Sequence, residues 1–269
     1  MKLKDFLSRR PVFTSEEFAA ALTAKQQPRS KRTLESLLAY YTNGGQILRV
    51  RRGLYVSVPP GMNPDTCPVD PFLLAAKMTN DAVLAYHTAL QFHGKAYSVR
   101  DDFLYCTRRL PRPATFRAYT FRAVAFPKKL HGKGKESFAV DVVDRSGVDV
   151  RVTSLERTLV DVLDRPSLGG GWEELWRSLD SVEFFNLDRV VEYTLLLGNA
   201  TTAAKVGFYL AQRRQELMVT EKHLMLLRDH RPRKPHYLDR KARKSGRFVS
   251  EWNLVVPIEV MERSWQEVL

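Results

Sequence analysis

The sequence predicts an α+β protein: a small N-terminal domain of three helices and a hairpin, then a larger α+β domain containing a helical block. Three observations carry this. Apolar residues at helical spacing, with capping signals, recur three times before residue 45 and then give way to the strand-like stretch QILRVRRGLYVSV. A proline-rich segment, PPGMNPDTCPVDP at 59–71, marks a domain boundary. Beyond it, runs rich in β-branched and aromatic residues flank a stretch, 153–214, with helical periodicity.

The first helix is read from LKDFLSRR, where Leu3, Phe6 and Leu7 share a face and Arg9 and Arg10 suit a helix C-terminus before Pro11 stops it. Thr14 and Glu17 have capping-box spacing, so a second helix starts there, with Phe18, Ala21 and Leu22 facing inward. KQQPRS is a turn, because Pro28 cannot sit inside a helix, and Ser30 is a good N-cap. The third helix runs from about Lys31 to Thr42 on the stripe Leu34, Leu37, Leu38 and Tyr41, and the NGG that follows ends it. Two short strands then flank Arg51, Arg52 and Gly53. A lone hairpin is marginal in water, so this one packs on the helices through Ile47, Leu48, Leu54 and Val56.

Helix, helix, turn, helix and hairpin is the layout of a winged helix-turn-helix. The N-terminal end of its third helix enters the major groove, where an arginine can read a guanine edge. The residues expected to meet DNA are therefore Arg29, Ser30, Lys31, Arg32 and Thr33 on that helix end, and Arg49, Arg51 and Arg52 on the wing.

Charge agrees with an anionic partner. Of 269 residues, 43 are Lys or Arg and 30 are Asp or Glu, a net charge of +13. Residues 1–60 carry +7 of that excess, so the end expected to read DNA is also the most basic part of the chain in sequence. The opening MKLKDFLSRRPVF lacks the apolar core of a signal peptide, and no apolar run is long enough to span a membrane, so a cytoplasmic location is expected. Cys67 and Cys106 cannot form a four-thiolate zinc site or a disulfide framework.

In the larger domain, 70–269, PFLLAAKM and YHTALQFHG read as short helices, and DFLYCT, TFRAYTFRAVAF and SFAVDVV as strands. VDRSGVDVRV is a hairpin closed at Ser146-Gly147. TSLERTLVDVLD opens the helical block with a capping box at Thr153 and Glu156, and Arg157 and Asp161 are spaced for an intrahelical ion pair. Helices follow around GWEELWRSL, NLDRVVEYTLLL and TTAAKVGFYLAQRR, and GRFVSEWNLVVPIEV returns to strand.

No catalytic centre is legible. His87 and His93 are six apart, where a metal pair on one helix face needs three or four. Asp141, Asp144 and Asp149 lie on adjacent strands and could converge on a divalent ion, but no Glu-x-Lys completes a nuclease site. GKGKES and SLGGGW miss the spacing of a phosphate-binding loop. No metal and no cofactor are expected. A second basic cluster, Arg231, Arg233, Lys234, Arg240, Lys241, Arg243, Lys244 and Arg247, faces one acid in sequence; with Tyr237 and Phe248 beside it, it suits nucleic acid or an acidic partner.

Taken in order, RRGLYVSV, VLAYHTALQFHG, VTSLERTLVDVLD with its Gly-rich turn, WEELWRSL and RFVSEWNLVVP resemble the AbiEi-type antitoxins of bacterial abortive-infection systems. These are transcriptional regulators of type IV toxin-antitoxin operons. The resemblance implies a phage-defence antitoxin that is not an enzyme. Its N-terminal domain would repress its own promoter, with Lys31, Arg32, Thr33, Arg51 and Arg52 on DNA, and its C-terminal domain would counter a nucleotidyltransferase toxin. The alternatives are a ligand-responsive regulator without a toxin partner and a metal-dependent nuclease.

Overall fold

The computed structural model describes residues 3–23, 30–131, 133–239 and 246–263. In chain order these form α1 (Leu3–Arg9), β1 (Val12–Thr14), α2 (Ser15–Thr23), α3 (Lys31–Asn43), β2 (Ile47–Arg51) and β3 (Leu54–Ser57). There follow α4 (Pro71–Ala76), β4 (Val83–Leu84), α5 (His87–Phe92), β5 (Asp102–Thr107), β6 (Ala114–Phe116), β7 (Tyr119–Ala125), α6 (Lys128–His131), β8 (Val140–Arg145) and β9 (Val148–Thr153). The helical block is α7 (Leu155–Asp164), α8 (Pro166–Gly169), α9 (Trp172–Asp180), α10 (Leu187–Leu197), α11 (Ala200–Gln212) and α12 (Glu221–Asp229). The last elements are β10 (His236–Tyr237), β11 (Gly246–Val249), β12 (Leu254–Pro257) and α13 (Ile258–Glu262). The protein is thus α+β, and among the described residues no helix is long and apolar enough to cross a membrane.

Two compact units emerge. The first comprises residues 1–84, 101–124 and 142–151, and the second 85–100, 125–141 and 152–269. In the first unit, α1, α2 and α3 pack on a three-stranded sheet of order β1-β3-β2. The core is Phe6, Phe13, Phe18, Leu38, Ile47 and Tyr55. Phe13 is its hub: its ring centroid lies 5.2 Å from Phe6, 5.8 Å from Phe18 and 5.7 Å from Tyr55. The capping box expected at Thr14 and Glu17 is present, with Thr14 N–H donating to Glu17 Oε2 (2.8 Å) and Glu17 N–H to Thr14 Oγ1 (3.2 Å). Strand β1 was not legible, since three residues between two helices show no period; it forms because Val12, Phe13 and Thr14 pair with Val56, Tyr55 and Leu54.

The proline-rich segment is not a bare tether. Arg117 donates to the carbonyls of Cys67 (2.5 Å) and Pro64 (2.7 Å). Beyond it the unit contributes most of a six-stranded sheet of order β6-β7-β5-β4-β9-β8. Its β8–β9 turn has positive φ at both Ser146 (54°) and Gly147 (75°), the turn expected there and the form that matches strand twist.

The second unit is built around α7. Its cap is Ser154, whose Oγ accepts from Arg157 N–H (3.4 Å), one residue later than the Thr153 expected. Thr153 Oγ1 instead meets Thr158 Oγ1 at 2.7 Å, and Glu156 Oε2 accepts from the Ser154 hydroxyl (2.7 Å). The Arg157–Asp161 pair is present at 3.3 Å and is wholly buried. Arg157 Nη1 also donates to the carbonyls of Glu136 (2.6 Å) and Phe138 (2.7 Å), and Tyr193 donates to Asp161 Oδ1 (2.6 Å). Such partners offset the cost of burying two charges. Helix α12 falls where the sequence raised no expectation; its Leu224 and Leu227 are buried. Strands β10-β12-β11 complete the unit as a three-stranded sheet.

Candidate nucleic-acid interface

Helix α3 begins at Ser30, which adopts extended backbone (φ −63°, ψ 150°) and accepts from Thr33 N–H at 3.2 Å. Its Oγ also lies 2.9 Å from Thr33 Oγ1. Ser30 and Thr33 are therefore joined in capping the helix. The first turn holds Lys31 and Arg32 and no acid. Cations there oppose the helix dipole, which favours anions at an N-terminus, so this end carries an electrostatic cost that an anionic partner relieves.

Across from that turn stands the β2–β3 hairpin. A bulge falls between Arg49 and Arg51, and Gly53 takes φ 81° at the tip, where its carbonyl accepts from Ser15 N–H (3.0 Å). Arg49 and Arg52 are exposed, as are Lys31 and Arg32. Between α3 and the hairpin lies an open cleft of about 570 Å³, lined by Lys31, Glu35, Arg49 and Arg52 above Leu38 and Tyr55. Three cations face one carboxylate, and the floor belongs to the core that fixes helix and hairpin together.

Arg51 does not join this set. Expected on DNA with its neighbours, it has its guanidinium engaged elsewhere, donating to the Met78 carbonyl within the first unit. The bulge explains the difference: Arg49 and Arg51 would share a face of a regular strand, and the register shift between them breaks that alternation. Arg29 lies outside the described residues, as do Arg240, Lys241, Arg243 and Lys244. Of the second basic cluster, Arg233, Lys234 and Arg247 are exposed, while Arg231 is half-buried and donates to the Arg228 carbonyl (3.0 Å).

The second unit holds a polar network that sequence reading passed over. His87 Nε2 lies 3.0 Å from Glu174 Oε1, and Glu174 also accepts from Ser98 N–H (2.9 Å) and the Ser98 hydroxyl (2.7 Å). Burial lowers the His87 pKa and outweighs the carboxylate's pull. For Glu174, burial raises the pKa, but the hydrogen bonds from Ser98 and His87 carry it below its usual value. Residue 86, just before His87, is a buried Tyr at φ 56°, ψ −133°, a conformation that L residues rarely take. Gly170 lies beside the network at φ 104°; a Cβ there would stand 2.5 Å from Glu174 Cγ and 2.7 Å from Arg100 Nη2. That crowding calls for glycine at 170, while Gly171, at φ 99° with open space around it, needs glycine for its backbone alone; the run was the one sequence sign of the site. Among the described residues no three His, Cys, Asp or Glu side chains gather as a metal site, so Asp141, Asp144 and Asp149 do not converge on one.

No protein-family model matches the chain. No curated protein sequence matches it either. Among solved structures, the crystal structure of the RV2827C protein from Mycobacterium tuberculosis is similar, with a TM-score of 0.60 over 98% of this chain and 93% of that one. Sequence identity is 16%, so the likeness is one of fold.

Proposed function

We propose that the protein is a DNA-binding antitoxin that represses its own toxin-antitoxin operon. In this reading residues 1–60 act as a winged helix-turn-helix: α3 enters the major groove by its first turn, and the β2–β3 wing follows the backbone. The observation that carries the DNA-binding part is the cleft, where Lys31, Arg49 and Arg52 converge from a helix N-terminus and a hairpin held by one core. Duplex DNA supplies the anion that the basic first turn of α3 lacks. The antitoxin part rests on the resemblance of the ordered motifs to the AbiEi type. It assigns the larger domain, 70–269, to countering a nucleotidyltransferase toxin.

The test has two arms. The full-length protein is titrated against a labelled duplex from upstream of its own gene and against an unrelated duplex. Preference for the first supports autorepression, and equal affinity argues against it. The adjacent gene is then expressed with and without this one. Growth arrest relieved by co-expression supports the antitoxin, whereas a neighbour that is harmless when expressed alone removes the toxin from the proposal.

A further inference from the structure

We propose that the outer face of the β10-β12-β11 sheet is a second nucleic-acid site, built for single strands and distinct from the α3–hairpin cleft. The register carries the argument. Tyr237 pairs with Val255, and Val255 pairs with Phe248, so the three side chains form one row across the sheet. The neighbouring row is turned inward: Leu254 and Val256 are both fully buried, and His236, opposite Leu254, meets Thr201 Oγ1 of α11 at 2.6 Å. The aromatic row is therefore the outer one, and the rings are accordingly open to solvent, Tyr237 at 37% and Phe248 at 49% exposure.

Two rings on alternate strands of one sheet stand about 10 Å apart, twice the strand spacing. An aliphatic residue lies between them. This is the arrangement by which sheet surfaces stack unpaired bases, and stacking tolerates sequence because every base has a π-face. Gly246 precedes Phe248 on the same face, and a Cβ there would lie 2.6 Å from Val255 Cγ1, so glycine leaves Val255 its place between the rings.

Charge selects the occupant. Arg233 and Lys234 lead into β10 and both are exposed, whereas Arg247, opposite the buried Val256, belongs to the other face. The nearby acids have other engagements: Asp239 accepts from Trp172 Nε1 (2.9 Å), and Glu251 is paired with Arg228 (2.7 Å). Cations at the β10 end of an aromatic row suit a phosphate backbone whose bases are free to stack. A paired duplex hides its base faces and cannot use the row.

The test uses the full-length protein and fluorescein-labelled oligouridine and oligothymidine of about 15 nucleotides, within the span of known single-strand sites. Tyr237→Ala and Phe248→Ala should each weaken binding about tenfold, the loss of one stacked base. The ring-preserving variants Tyr237→Phe and Phe248→Tyr should bind as the parent does. An unlabelled duplex of equal length should compete poorly, and Lys31→Ala/Arg52→Ala should leave oligonucleotide affinity unchanged. Tighter binding of oligouridine than of oligothymidine would assign the site to RNA through its 2′-hydroxyls; the reverse order would assign it to single-stranded DNA. The proposal is overturned if the parent binds neither oligonucleotide, if the alanine variants match the parent, or if the ring-preserving variants lose as much as the alanine ones. It is equally overturned if duplex competes as well as single strand, or if Lys31→Ala/Arg52→Ala abolishes oligonucleotide binding.

Discussion

The guanidinium of Arg51 donates a hydrogen bond to the carbonyl oxygen of Met78, while its neighbour Arg52 stands exposed at the hairpin tip. Adjacent arginines thus have opposite duties, one holding the first unit together and the other available to an anion. Arg51→Ala leaves the Met78 carbonyl without its charged donor, which costs about 1–3 kcal/mol. Its expected signature is a lower melting temperature with DNA affinity and salt dependence retained. Arg52→Ala should do the reverse: unchanged melting, weaker DNA binding, and a salt slope reduced by about 0.9 for one lost phosphate contact. Melting curves and salt-titrated anisotropy separate the two. If Arg51→Ala flattens the salt slope as Arg52→Ala does, the hydrogen bond to Met78 does not keep Arg51 from DNA.

Acid should destabilise the second unit through His87 and Glu174. His87 has a folded pKa below its usual 6.5, so the unfolded chain takes up the proton first and stability falls as pH drops below about 6.5. Glu174 has a folded pKa below its usual 4.5, so its share is present above that value and is lost as pH falls through the folded pKa. The two limbs are separable. His87→Gln should flatten the upper one and Glu174→Gln the lower one, read as urea midpoints against pH. A parent midpoint that stays level from neutrality to pH 4 would exclude His87 from the acid response.

Gly207 sits within α11, where alanine ordinarily gains up to about 1 kcal/mol of helix propensity. Here the sign should invert. A Cβ at Gly207 would lie 2.1 Å from Cζ3 of Trp252, a fully buried ring that cannot move aside without displacing its neighbours. Overpacking of this kind costs about 1–3 kcal/mol, which exceeds the propensity gain. Gly207→Ala should therefore lower stability and shift the tryptophan emission, whereas Gly198→Ala, with no atom closer than 3.9 Å, should leave that emission in place.

These contrasts show what the sequence could say. The helices α3, α7, α9, α10 and α11 were legible because each buries a stripe with local period and most carry a side-chain cap, as at Ser30 and Asn186. The Ser146-Gly147 turn was legible because positive φ at two successive residues demands such a pair. The lysine and arginines of the cleft were legible as charge at a helix start and a hairpin tip. What escaped were pairings between distant segments. Nothing near Val12 announces its partner Val56, and nothing near His87 announces Glu174, because these depend on which elements the chain brings together. Arg51 escaped for a smaller reason: one residue of strand register separates a side chain facing solvent from one facing Met78.

The boundary in the proline-rich segment sets how well residues 1–60 hold together alone. Residues 1–60 contain the whole aromatic core of Phe6, Phe13, Phe18 and Tyr55, which argues that a fragment ending at residue 60 folds. Yet the same residues reach beyond it within the first unit. Glu17 pairs with Lys77 at 2.5 Å, Arg51 donates to Met78, and Arg10 Nη1 donates to the Gly147 carbonyl at 2.9 Å. The Glu17–Lys77 pair is partly exposed and is worth about 0–1 kcal/mol, and the Arg51 bond is worth more, about 1.5–3 kcal/mol. A domain of some 60 residues is marginal to begin with, so losing both removes a large share of its stability. The fragment 1–60 should therefore show native-like circular dichroism when cold, melt well below the full-length protein, and bind DNA weakly. Extending it to residue 84 restores Lys77 and Met78 and should raise the melting temperature by several degrees, a shift that 1–84 carrying Arg51→Ala loses. If 1–60 and 1–84 melt together, the N-terminal segment is self-sufficient, and the contacts of Glu17 and Arg51 contribute nothing to holding it folded.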